Sequence, residues 1–121
     1  MVLVDAANVV GSRPTGWWRD RPKAAAAFVA RVRVAAASSA VPTPVVVVLE
    51  GQAREGAEEG VADGVEVVHA SAEGDDTLAR IAAAATEPVT LVSADRALSE
   101  RCRSAGADVV GPSWLLERLG P

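Results

Sequence analysis

Three apolar runs, at 2–4, 45–49 and 89–92, with shorter ones at 65–68 and 109–110, are rich in β-branched residues. Runs without a polar alternation are the pattern of strands buried on both faces, which predicts five parallel strands. Between the first two runs, Ala25, Phe28, Val29, Val32, Ala35 and Ala36 recur at helical spacing behind Pro22, which suits a first turn. A helix of about 22–38 follows, and Pro42 and Pro44 end the connection. The stretch from Gly51 to Gly64 is rich in Gly and Glu with little periodicity, so it predicts a short helix or a loop.

Leu78, Ile81, Ala82 and Ala85 share a face, predicting a helix of about 76–86 with Asp75 or Asp76 as N-cap and Thr77 as a further capping hydroxyl. Asp95 opens another helix to about Ala105, turning Ala97, Leu98 and Cys102 inward, and Gly106 stops it. A short helix over 114–118 closes the chain. Alternation of strands and helices with right-handed crossovers specifies an α/β three-layer sandwich, and 121 residues suit a single domain over 1–121.

Half of the residues are apolar, mostly Ala and Val, with three Trp, one Phe and no Tyr, so the core is aliphatic and intrinsic disorder is excluded. The formal charge of −4 gives no general attraction to polyanions. A metal-neutralised site is the way an acidic protein of this kind would bind them. The lone Cys102 has no disulfide partner in the chain, and neither a signal-peptide pattern nor a run of about 18 apolar residues occurs. The expectation is a cytoplasmic protein, not associated with membrane, that is a monomer or a weak homodimer.

Asp5 ends the first strand, Glu50 ends the second, Asp75 and Asp76 follow the third, and Asp95 follows the fourth. Carboxyl ends of parallel strands share one edge, where open α/β sheets bind ligands. Each acid alone is as well explained as a helix cap or a loop residue, but together they repel unless a cation compensates. Oxygen donors without nearby His or Cys point to Mg²⁺ or Mn²⁺. Asn8, the sole asparagine, stands three residues after Asp5 and suits either a substrate-orienting amide or a turn.

Basic and aromatic residues interleave only in Ser12-Arg13-Pro14-Thr15-Gly16-Trp17-Trp18-Arg19-Asp20-Arg21-Pro22-Lys23. An exposed Trp there would stack on a base while a cation meets phosphate; alternatively one Trp packs under the loop and the arginines are merely solvated. The candidate substrate contacts are Ser12, Arg13, Trp17, Trp18, Arg19, Ser93 and Arg96. His69 and Cys102 stand alone, without nucleophilic partners. No Gly-x-Ser-x-Gly elbow, Gly-x-x-x-x-Gly-Lys loop or Gly-x-Gly-x-x-Gly fingerprint occurs, which excludes the common hydrolase and nucleotide-cofactor motifs.

The segments Val-Asp-Ala-Ala-Asn-Val-Val-Gly-Ser (4–12), Glu-Gly-Asp-Asp-Thr-Leu-Ala (73–79) and Val-Thr-Leu-Val-Ser-Ala-Asp-Arg (89–96) resemble the PIN-like metal-dependent nucleases, in particular their small bacterial NYN-type branch. The resemblance implies a PIN-like five-stranded parallel sheet of order 3-2-1-4-5 and phosphodiester hydrolysis, usually of RNA, with Mg²⁺ or Mn²⁺. By position it implies metal ligation by Asp5, Asp75 and Asp95, with Asp76 competing for the place of Asp75 and Asn8 as polar companion. The chain departs from the family pattern in having no acid in the middle of its first long helix and Arg96, not a second acid, after Asp95.

A haloacid-dehalogenase-type phosphatase would need an acid where Ala7 stands, and a response-regulator receiver a late lysine where the only lysine is Lys23. A non-catalytic RNA- or protein-binding module on the same scaffold, with a degenerate metal site, is the alternative from another class.

Overall fold

The computed structural model describes residues 1–120. Its sheet has six strands, β1 (Val2–Asp5), β2 (Val45–Leu49), β3 (Gly60–Ala62), β4 (Val65–His69), β5 (Thr90–Val92) and β6 (Asp108–Val110), in the order β3-β4-β2-β1-β5-β6. Five are parallel to their neighbours, with Val4 opposite Val47 on one side and Val92 on the other. The expectation of five strands, all parallel, is corrected by β3, which pairs antiparallel with β4 at the edge. This strand is exposed along its length, so it carries no apolar pattern from which it could be read. A hairpin with Asp63 and Gly64 at positive φ joins it to β4.

Helices α1 (Ala6–Gly11), α2 (Arg21–Ala37) and α5 (Pro112–Leu119) cover one face, and α3 (Gly74–Ala84) and α4 (Arg96–Ser104) the other. The strands bury side chains on both faces: Val2, Val4, Val45 and Val47 point to the first layer, Leu3, Val46, Val48 and Leu91 to the second. That accounts for the unbroken apolar runs. In α2 the buried residues are Ala25, Phe28, Val29, Val32, Ala35 and Ala36, and Asp20 caps the helix by accepting from the Lys23 N–H at 3.1 Å.

Three local expectations are corrected. Residues 6–11 form a helix rather than a turn, so Asn8 is helical. The connection after β2 begins, within the short helix or loop expected there, as a 3₁₀ helix over Gly51–Gly56. Helix α3 begins at Gly74, two residues early, so Asp75 and Asp76 lie in its first turn instead of capping it and Thr77 is buried. On α4 the inward residues are Leu98, Ser99 and Cys102, while Ala97 is exposed. Ser99 tolerates burial because its hydroxyl donates to the Asp95 carbonyl at 2.6 Å.

Candidate active site

β1 delivers Asp5 to the carboxyl edge of the sheet, where it is only 5% exposed. Its Oδ2 accepts from the Ser93 hydroxyl at 2.8 Å and its Oδ1 from the Asn8 N–H at 3.4 Å, the N-cap contact that opens α1. Burial raises the Asp5 pKa from 3.8 to about 6 against the lowering effect of those two bonds, and the fields of Asp75 and Glu50 add to the rise. Asp75 is also pushed up, first by burial, then by Asp95, Glu50 and Glu73. These carboxylates therefore feel one another across the edge. Neither ion pair of the described residues, Met1 with Glu87 and Arg101 with Asp76, neutralises Asp5, Glu50, Asp75 or Asp95.

Ser93, at 2% exposure, holds Asp5 and also accepts the Asp95 N–H at 3.0 Å. Its hydroxyl is thus engaged on both sides within the protein. Asn8 Oδ1 accepts from the Ala94 N–H at 2.7 Å, so its amide binds α1 to the turn after β5. Asp95 caps α4 as expected, accepting from the Leu98 N–H at 2.9 Å. Asp76 is turned away: it is exposed and its Oδ1 lies 3.0 Å from Arg101. Of the two neighbours, Asp75 is the one whose charge is felt by the other acids of the edge. Ser12 sits at the far end of α1 from Asp5, with its proton given to the Val9 carbonyl at 2.6 Å. Arg96 is exposed at the start of α4.

The donor set is all oxygen, the chemistry of Mg²⁺ and Mn²⁺. Among the described residues, however, no three such side chains stand close enough to hold an ion, so the expected cage of Asp5, Asp75 and Asp95 is an edge of neighbouring carboxylates instead. Their oxygens are partly committed: Asp5 to Asn8 and Ser93, Asp95 to Leu98, and Glu50 to the Gly74 N–H at 2.8 Å.

Beside this edge lies a cavity of about 320 Å³ walled by Val10, Trp17, Ala25, Leu49 and Ala53. Arg21, Glu50 and Glu73 supply its charged positions. The loop expected to present two indoles does so unequally: Trp17 is half-buried in the cavity wall, whereas Trp18 is 49% exposed. The rings meet edge to face at 5.8 Å, and the Arg19 and Arg21 guanidinium groups lie 5.6 and 5.3 Å from the Trp18 and Trp17 centroids. On the other side of Trp17 an open groove carries Arg13, Arg19, Lys23 and Arg31. Arg21 belongs to the basic and aromatic segment read from the sequence, whereas Glu73 and the cavity itself escaped its pattern. The only trace of them was a glutamate beside Gly-Asp-Asp and alanines whose packing no periodicity reveals.

No protein-family model matches the chain, and no curated protein sequence matches it. Among solved structures the chain is similar to Rae1 (YacP) from Bacillus subtilis, with a TM-score of 0.72 at 19% identity, over 98% of this chain and 73% of that one. At that identity what the two share is the fold. No described helix is long and apolar enough to cross a membrane.

Proposed function

We propose that the chain is a PIN-like, NYN-type phosphodiesterase that hydrolyses RNA with Mg²⁺ or Mn²⁺, an ion whose binding would draw Asp5, Asp75 and Asp95 together from the wider spacing they have without it. The observation that carries this is the placement of Asp5, Glu50, Asp75 and Asp95 at the carboxyl edge of one sheet, where burial raises Asp5 to about 6 and the fields of Asp75 and Glu50 add to the rise, with no cationic side chain paired to these acids among the described residues. Such an edge is unfavourable without a compensating cation. The fold shared with Rae1 and the motifs at 4–12, 73–79 and 89–96 support the same assignment.

A bound divalent ion would lower the pKa of water and stabilise charge on the phosphate. The protein's own part is to orient. Ser93 and the Asn8 N–H fix the orientation of the Asp5 carboxylate, in which it would meet the ion. Asn8 fixes the turn that carries Asp95. Trp18 and the cations of the Arg13–Lys23 segment supply stacking and phosphate contacts that the net charge of −4 does not.

The carboxylates standing apart rather than closed around an ion favours a second assignment, a non-catalytic RNA- or protein-binding module. Incubating labelled single-stranded RNA with the protein and Mn²⁺, with and without chelator and beside Asp5→Asn, decides between them. Cleavage that disappears with chelator and in the variant supports the enzyme; intact RNA, or equal cleavage by wild type and variant, overturns it.

A further inference from the structure

We propose that the cavity beside Asp5 takes one nucleobase, and that it selects guanine through the Glu73 carboxylate. The assignment of RNA as substrate gives the pocket its biological setting, but the recognition chemistry stands on the cavity alone. Its volume of about 320 Å³ lies at the lower end of the roughly 300–1,000 Å³ of small-molecule sites and suits a single nucleoside. The walls are apolar, as a base face requires. Trp17 lines the cavity, and its plane is fixed by Trp18 edge-on and by Gly11, where an added Cβ would stand 3.5 Å from the ring. The Arg21 guanidinium lies 5.3 Å from the Trp17 centroid, so a base entering between Trp17 and the alanine wall takes its place over the ring and turns the guanidinium toward the phosphate.

The polar complement decides which base. Both carboxylates of the cavity are acceptors only when ionised. Glu50 already receives the Gly74 N–H, whereas Glu73 is exposed and makes no hydrogen bond among the described residues. Guanine alone presents two adjacent donors, N1–H and the N2 amino group, which match the two oxygens of one carboxylate. Adenine and cytosine set their amino group beside an acceptor nitrogen, and uracil flanks its N3–H with two carbonyls, so each places a lone pair against a carboxylate oxygen. Arg21, at the same cavity, supplies the positive charge for the attached phosphate. Val10, Trp17 and Ala24 also line the groove bearing Arg13, Arg19, Lys23 and Arg31, so the strand on either side of the captured base has a basic path to follow.

The test is a titration of intrinsic tryptophan fluorescence with the four ribonucleoside 5′-monophosphates in the presence of chelator, where no cleavage chemistry intervenes. Wild type should be quenched by GMP at a concentration about 10-fold lower than by AMP, CMP or UMP, the discrimination of one bidentate contact. Glu73→Gln should lose that 10-fold for GMP and leave the other three unchanged, with an unaltered melting temperature. Trp17→Phe should remove most of the quenching. Equal quenching by all four nucleotides, no saturable quenching, or an intact GMP preference in Glu73→Gln overturns the proposal. RNA cleavage with Mn²⁺ is scored separately: cleavage without nucleotide preference sinks the guanine pocket and leaves the nuclease, and a GMP preference without cleavage does the reverse.

Discussion

The Ser93 hydroxyl donates to Asp5 Oδ2 at 2.8 Å across 88 residues of chain, and both groups are buried. This bond holds the Asp5 carboxylate in place and lowers its pKa against the desolvation that raises it. Ser93→Ala should therefore push the Asp5 pKa above its present value of about 6, as followed by carboxyl NMR titration. The change should also cost about 1–3 kcal/mol of stability, the price of leaving a buried acceptor short of a donor. An unmoved Asp5 titration would show that the hydroxyl does not hold the carboxylate.

Asp5→Asn should stabilise the protein more at pH 8 than at pH 4.5. The folded-state pKa of Asp5 is raised above 3.8, so its contribution is favourable below 3.8 and is lost as the pH rises through about 6. At pH 8 the ionised group costs up to about 3 kcal/mol, from 1.36 kcal/mol for each pH unit between those two values. The amide escapes that cost. Thermal melts of both proteins at the two pH values check the sign, and a variant less stable at pH 8 than wild type would contradict it.

Asp75→Asn and Asp76→Asn separate two neighbours whose roles the structure divides. Asp75 is coupled to Asp95, Glu50 and Glu73, while Asp76 is exposed and pairs with Arg101. Mn²⁺ at about a hundredfold over its Kd should stabilise wild type by about 2.7 kcal/mol, raising Tm. Asp76→Asn should keep that rise and the cleavage of RNA; Asp75→Asn should lose both. Its own exposed ion pair is worth at most about 1 kcal/mol, so Asp76→Asn should melt close to wild type. A reversal of the two phenotypes would put Asp76 in the site.

Most of the architecture was legible because its signals are local. The six inward residues of α2 are those at helical spacing, and the apolar runs became the parallel strands. What escaped depends on contacts made across the fold. Helix α3 starts at Gly74 rather than after the aspartates because the Gly74 N–H finds its acceptor on Glu50, 24 residues earlier, where a side-chain cap would otherwise be needed. Ser93 reads as one more hydroxyl near the edge until Asp5 is seen against it. The acids at the strand ends were legible; which of them turn inward was not, because Asp75 and Asp76 differ by 100° of helix rotation and only Arg101 on α4 shows which is outward.

The two indoles divide the labour of the Arg13–Lys23 loop, and substitution should separate them. Trp18 is 49% exposed and touches Trp17 only edge to face, so Trp18→Ala removes a stacking surface with little packing. Stacking of a base on an aromatic ring is worth about 1–3 kcal/mol, so single-stranded RNA should bind roughly 5- to 150-fold more weakly, with Tm nearly unchanged. Trp17 is half-buried in the cavity wall against Arg21, so Trp17→Ala should lower Tm as well as affinity. Fluorescence anisotropy with labelled RNA, beside thermal melts of both variants, reads the two effects independently. If Trp18→Ala binds RNA as wild type does, the exposed indole is not a base platform, and the strand must be held by the basic groove of Arg13, Arg19, Lys23 and Arg31 together with the cavity at Trp17.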